Sequence, residues 1–140
     1  MLLSGLLAAA VLVVVLLPHG KSHPVAWRDV SGRVGPVLTS DVTRRLFRTR
    51  AQFREFFGSQ AQAPVDFSTR QLLLVSPGPR SSTGYSVQVL SVTERDDAIT
   101  VKVRERTPTL ADHVEARVTY PYRLLSLPAD EAVYVDWAGR

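Results

Sequence analysis

The chain of 140 residues contains no cysteine. This absence excludes a disulfide-stabilised scaffold, a thiol nucleophile and a cysteine-based zinc site. Only 8 glycines and 9 prolines are present, which excludes a collagen-like or low-complexity chain. No Asp, Glu, Lys or Arg precedes Lys21, so the net charge of +4 belongs entirely to the residues from Lys21 onward. A chain of this length is expected to form one domain that is stabilised by hydrophobic burial without disulfides.

Residues 2–17 form an uncharged, almost wholly apolar run that ends before Pro18. A helix over these 16 residues would be about 24 Å long, shorter than the hydrocarbon core of a bilayer at about 30 Å. This length is intermediate between a signal-peptide core and a full membrane span. We therefore expect residues 1–22 to be a signal peptide or an N-terminal membrane anchor. The protein is then extracytoplasmic, either secreted or held at the membrane by residues 2–17.

One short helix is predicted near the start of the folded part. Thr49-Arg-Ala-Gln52 has the spacing of a capping box, with a hydroxyl at the N-cap and an amide three residues later. Phe53, Phe56 and Phe57 follow at the spacing that places them on one helix face. Gly58 is suited to end the helix. About two turns are too few for a stable isolated helix, so packing of the three rings must hold it.

The rest of the chain has the period-two pattern of β-strands. At Leu90 the pattern slips by one residue, which predicts a β-bulge, and Asp96-Asp97 predicts the tip of a hairpin. Short connections favour antiparallel pairing. We expect an α+β, mostly β fold, with an open or partly rolled antiparallel sheet and one short packed helix after the N-terminal apolar segment. The strands are predicted at residues 71–75, 85–92, 99–103, 114–120, 123–127 and 133–137.

The order of these patterns suggests three parts. Residues 1–22 are the export or anchor segment described above. Residues 23–40 contain two prolines and two glycines among scattered apolar residues, and they are interpreted as a linker with an irregular first strand. Residues 41–140 form the β-rich domain.

A search for catalytic groups yields little. His113 is the only histidine beyond the N-terminal region, and its neighbour Asp112 would point to the opposite face of a strand. Asp96 and Asp97 belong to a turn, where aspartate is favoured for its backbone geometry and where nothing excludes water. The sequence therefore predicts that the protein is not an enzyme, with no catalytic residue, no metal site and no cofactor.

A cluster of arginines raises the question of nucleic-acid binding, because closely spaced cations bind the phosphate backbone. Arginine provides 15 of the 17 cations in the whole chain, so the choice of arginine is a general bias of this sequence. We interpret the cluster as a solvated face and expect no nucleic-acid partner. An anionic envelope polymer or lipid headgroup stays open as an alternative. The cluster consists of Arg44, Arg45, Arg48, Arg50 and Arg54.

Several short motifs occur in a recognisable order. The series runs Pro64-Val-Asp-Phe67, Leu72-Leu-Leu-Val75, Gly78-Pro-Arg80, Thr83-Gly-Tyr85, Glu105-Arg-Thr-Pro108 and Thr119-Tyr-Pro-Tyr122. Over residues 64–128 this series resembles the C-terminal domain of the protease complex subunit PrcB family. Two departures affect the central loop. One glycine precedes Tyr85 where the family tends to have two, and Ser81 and Ser82 lengthen the loop.

The resemblance implies a non-catalytic, exported accessory subunit that binds or stabilises an envelope protein or a protease complex. No catalytic residue can be transferred from the family. The motif residues either set turns or form a recognition surface, and both interpretations stay open. As candidate binding residues we take Asp66, Arg80, Thr83, Gly84, Tyr85 and Tyr122.

An alternative function comes from the Ser81–Tyr85 loop. It is similar to the Thr-Thr-Gly-Tyr loop of chagasin-like cysteine-protease inhibitors, although the Asn-Pro that normally precedes that loop is missing. On this interpretation the protein is a protease-inhibitor-like module. The sequence leaves the partner's identity and the oligomeric state open.

Overall fold

The computed structural model describes residues 20–139. Residues 1–19 of the predicted signal peptide or anchor, which include its apolar residues 2–17, lie outside the described residues. Within residues 20–139, no helix is both long enough and apolar enough to cross a bilayer.

The described residues form eight strands and one α-helix. A turn of 3-10 helix at Ser31–Arg33 joins the second and third strands. In chain order the elements are β1 His23–Pro24, β2 Arg28–Asp29, β3 Thr43–Phe47, α1 Arg50–Phe57, β4 Arg70–Ser76, β5 Ser86–Arg95, β6 Ala98–Arg106, β7 Arg123–Pro128 and β8 Ala132–Trp137.

The strands lie in two four-stranded sheets. The first sheet has the order β1-β5-β6-β8, and the second has the order β2-β7-β4-β3. All pairings within these sheets are antiparallel except that of β6 with β8, which is parallel. The chain leaves the first sheet after β6, forms β7 in the second sheet and then returns beside β6. The predicted α+β, mostly β fold with one short helix is confirmed, and its strands are divided between two sheets.

The two sheets and the helix form three layers. Between the sheets, Leu73 and Leu125 of the second sheet pack in one core with Val101 of the first. On the other face of the second sheet, Leu72 and Leu124 pack in a separate core with helix residues. Because successive strand residues point to opposite faces, β4 must be apolar at consecutive positions to serve both cores. This explains the unbroken apolar run at residues 72–75.

The helix forms as predicted. The Thr49 hydroxyl accepts a hydrogen bond from the Gln52 N–H at 3.1 Å, while the Gln52 side-chain oxygen accepts from the Arg48 N–H at 2.8 Å. The Gln52 side chain therefore accepts from Arg48, the residue before the N-cap, and not from the N-cap residue Thr49. Phe53 is fully buried and stacks on Phe57 with ring centroids 4.5 Å apart. Gly58, with a φ of 114°, ends the helix.

The predicted hairpin and bulge are also confirmed. Asp96 and Asp97 have φ values of 51° and 59°, as a two-residue type I′ turn requires. The register between β5 and β6 shifts between Val89 and Ser91. The extra residue, Leu90, is 43% exposed.

The strand predicted at residues 114–120 is wrong. Only an isolated bridge between Thr119 and Arg80 forms there, and residues 114–118 are exposed. The backbone of this segment bonds instead to the loop before β5, where Glu115 pairs with Thr83 and Thr119 pairs with Arg80. The alternating segment is therefore a loop held by these contacts.

Residues 23–40 contribute to both sheets. β1 pairs with β5, and β2 pairs with β7. Val30 and Val37 are buried in the core beneath the helix. The domain boundary at residue 40 stays a prediction.

Candidate binding surface

Two loops meet at one end of the molecule, and we call them the paired loops: residues 77–85, between β4 and β5, and residues 107–122, between β6 and β7. Arg80 joins them through its backbone, because its N–H donates to the Thr119 carbonyl and its carbonyl accepts from the Thr119 N–H, both at 2.8 Å. Its guanidinium binds both carboxylate oxygens of Glu105 at 2.7 and 3.0 Å. The same group lies 5.9 Å from the centre of the Tyr85 ring. Arg80 thus links the first loop to the end of β6.

A second set of hydrogen bonds joins the loops near Thr83. The Thr83 N–H donates to the Glu115 carbonyl at 3.0 Å, and the Thr83 hydroxyl accepts from the Glu115 N–H at 2.9 Å. The Thr119 hydroxyl donates to the Ser82 carbonyl at 2.7 Å. These bonds hold the irregular backbone of residues 107–122 without a strand ladder.

Gly84 occupies a position that only glycine tolerates well. Its φ is 94°, in the region that side chains disfavour. A Cβ atom placed there would lie 2.9 Å from Cβ of Pro108 and 3.0 Å from Cγ1 of Val114. The single glycine before Tyr85 therefore allows the two loops to approach closely.

Asp112 holds the start of the second loop. Its carboxylate accepts two hydrogen bonds from the Arg106 guanidinium at 2.9 and 3.0 Å and one from the Thr109 N–H at 2.7 Å. The Thr109 N–H, followed by the Arg106 side chain, holds the pKa of Asp112 below its usual value. His113, beside it, is an exposed loop residue. In the described part of the chain, no group of three or more potential metal-ligating side chains is found.

The other two candidate residues lie outside the paired-loop contacts. The Asp66 carboxylate accepts hydrogen bonds from the Ser68 N–H at 2.9 Å and the Ser68 hydroxyl at 2.8 Å, and these bonds lower its pKa. The Tyr122 hydroxyl donates towards the Ser31 and Gly35 carbonyls at 3.0 and 3.2 Å, and burial raises its pKa. Asp66 sets a local turn, and Tyr122 ties residues 31–35 to the outer core. The structure brings together Arg80, Thr83, Gly84 and Tyr85, and it places Asp66 and Tyr122 elsewhere.

Sequence reasoning missed the apolar side chains that the second loop exposes. Leu110 is fully exposed, and Val114 and Val118 are 40% and 61% exposed. The alternating pattern places both valines on one face of the strand predicted at residues 114–120. Leu110 belongs to no periodic pattern. Because that strand does not form, both valines lie on the surface together with Leu110.

The region that contains the paired loops is similar to a known protein family. Residues 72–128 match the PrcB C-terminal family model. This confirms the resemblance seen in the sequence. The PrcB match runs from β4 to the end of β7, so it contains both paired loops and Tyr122, whereas Asp66 precedes it. No curated protein and no solved structure gave a significant match.

Proposed function

We propose that the protein is a non-catalytic accessory subunit that binds another protein through its paired loops. The PrcB C-terminal match indicates an accessory role associated with a protease complex. The partner we propose is an envelope protein or a protease, and the two proteins would interact outside the cytoplasm. Residues 1–22 would export the domain or hold it at the membrane.

One observation carries this proposal: Leu110, Val114 and Val118 are exposed on a loop that is held in place. A contiguous patch of exposed apolar side chains is typical of a protein-binding surface, and we propose that these three residues form such a patch. Hydrogen bonds with Thr83 and Arg80 hold the backbone at Glu115 and Thr119, directly after Val114 and Val118. Bonds between Thr109 and Asp112 hold the turn that contains Leu110. A preorganised loop loses less conformational entropy on binding, so more of the contact energy appears as affinity.

The hydrogen bonds of Asp112 and Arg80 favour a protein-binding role over a catalytic one. A histidine base needs a carboxylate to orient it. Asp112, the neighbour of His113, already binds Arg106 and Thr109. Arg80 is likewise bound at two points to Glu105. In this arrangement Asp112 ties the second loop, and Arg80 ties the first loop, to the end of β6.

Site-specific photo-crosslinking tests the proposal. A photoreactive amino acid would replace Leu110 or Val118 in the full chain, expressed in its own cells. Leu90, an exposed apolar residue on β5 of the first sheet, provides the matched control. We expect the same protein to be crosslinked from positions 110 and 118 and not from position 90.

Two outcomes contradict the proposal: no crosslinked protein from positions 110 and 118, or equal crosslinking from position 90. The inhibitor-like alternative stays a prediction. It would be favoured if the crosslinked partner were a protease whose peptide hydrolysis slows when the purified chain is added.

A further inference from the structure

A second surface feature lies on the outer face of the second sheet. It is a cleft of about 360 Å³, formed by residues just before and after β2, the beginning of β4 and the segment before Asp66. This volume is within the range of small-ligand sites, roughly 300–1,000 Å³. Three arginines and an indole ring are among its lining residues: Arg28, Arg33, Arg70 and Trp27.

Arg70 is fixed at the base of this cleft. Its Nε donates to the Ser126 hydroxyl at 2.8 Å, and its Nη2 donates to the Ser126 and Ala26 carbonyls at 2.7 and 3.2 Å. Burial, and then the charge of Arg28, lower the pKa of Arg70. The guanidinium is therefore oriented by neutral groups, and its neighbouring charge has the same sign.

None of the three cleft arginines forms an ion pair with a carboxylate of residues 20–139. Asp29, the acid nearest in sequence to Arg28 and Arg33, binds Arg123 at 3.4 Å and the Ser31 N–H at 3.0 Å. Asp66, the acid nearest in sequence to Arg70, accepts two hydrogen bonds from Ser68. Three guanidinium groups around one cleft repel one another, and a bound anion would relieve that repulsion. Arginine is also the side chain best suited to bind a phosphate or carboxylate at two points.

The remaining wall of the cleft is apolar. Trp27 is 37% exposed, and Pro64 and Val65 also line the space. A flat indole ring beside aliphatic side chains suits an aromatic or aliphatic group on the ligand. The ligand should therefore combine a strong negative charge with an apolar part.

We propose that this cleft binds an organic phosphate monoester, with the phosphate among Arg28, Arg33 and Arg70 and the organic group against Trp27. A phosphate monoester carries about −1.5 to −2 charge at neutral pH and matches three cations better than a single carboxylate does. This site is separate from the paired loops and does not depend on their function.

Calorimetric titration of the purified full chain with phenyl phosphate tests the proposal. Two comparison probes each lack one part of phenyl phosphate. Inorganic phosphate lacks the ring, and phenylacetate carries a carboxylate in place of the phosphate. We expect phenyl phosphate to bind more tightly than either. Binding should also change the fluorescence of Trp27, and this change should disappear in Trp27→Phe.

The variants Arg28→Gln and Arg33→Gln test whether the cleft is the binding site. Both side chains are exposed and form no hydrogen bond or ion pair among residues 20–139, so their replacement should leave the fold intact. Each should weaken phenyl phosphate binding about tenfold, as expected for one charge-assisted contact. Arg44→Gln, at an exposed arginine of β3 outside the cleft, should change affinity less than twofold. The proposal is overturned if phenyl phosphate does not bind at millimolar concentration, if either comparison probe binds equally well, or if Arg44→Gln weakens binding as much as the cleft variants.

Discussion

Arg80 and Glu105 bind each other at two points, with Nε 2.7 Å from Oε2 and Nη2 3.0 Å from Oε1. Their side chains are only 23% and 15% exposed, so solvent screens this pair less than an open surface pair. Glu105 lies near the end of β6, and Arg80 lies in the loop that follows β4. The pair therefore ties the first paired loop to the end of β6, from which the second paired loop begins.

Replacing Arg80 with lysine should destabilise the protein. Lysine keeps the charge but cannot reproduce the planar two-point contact. We expect the free energy of unfolding in urea to fall by about 1–3 kcal/mol, the range for hydrogen bonds to charged groups. As a control, Asp136→Asn removes the exposed partner of Lys102 at 4.0 Å and should change stability by less than about 0.5 kcal/mol. Equal effects of the two variants would refute this role of Arg80.

Gly84→Ala should reduce stability more than Gly58→Ala does. Both glycines have positive φ, at 94° and 114°, so both variants incur backbone strain of about 1 kcal/mol or more. Only at Gly84 would the new methyl group meet Pro108 and Val114 at about 3 Å, whereas no atom lies within 4 Å at Gly58. Urea unfolding of the two variants measures the difference. Similar losses would mean that close loop packing at Gly84 contributes nothing.

The lowered pKa of Asp112 predicts a pH dependence of stability. The unfolded chain takes up the proton near the usual aspartate pKa of about 3.9, while the folded chain takes it up only at lower pH. The contribution of Asp112 is therefore fully present above about pH 5 and declines as pH falls through the lowered pKa. Asp112→Asn should be less stable than the parent chain at pH 7, with a smaller difference at pH 3. Urea midpoints at both pH values test this, and a difference that grows at pH 3 would contradict it.

Local elements of the fold could be predicted from the sequence because their signals lie within a few residues. Thr49, Phe53 and Gly58 specify the beginning, buried face and end of the helix. Asp96 and Asp97 similarly specify the hairpin turn. The division of strands into two sheets depends on pairings between distant segments, such as β6 with β8, which no local pattern records.

The candidate site was predictable only where its residues are neighbours in sequence. Arg80, Thr83, Gly84 and Tyr85 stay together because one loop carries them. Tyr122 is the last residue of the second loop, yet its hydroxyl binds the carbonyls of Ser31 and Gly35 instead. The exposed valines could not be recognised, because alternation indicates a strand only if another strand is available to pair with it.

The central claim is that the apolar side chains of the second loop bind the partner. Its most direct test is the affinity of the full chain for the protein crosslinked from position 110. This affinity is compared between the parent chain, the double variant Leu110→Ser with Val118→Ser, and the matched control Leu90→Ser. Exposed side chains can be shortened with little effect on folding, and a few apolar contacts usually dominate an interface. We predict at least about tenfold weaker binding for the double variant and less than twofold change for the control. Unchanged affinity of a folded double variant would contradict the claim.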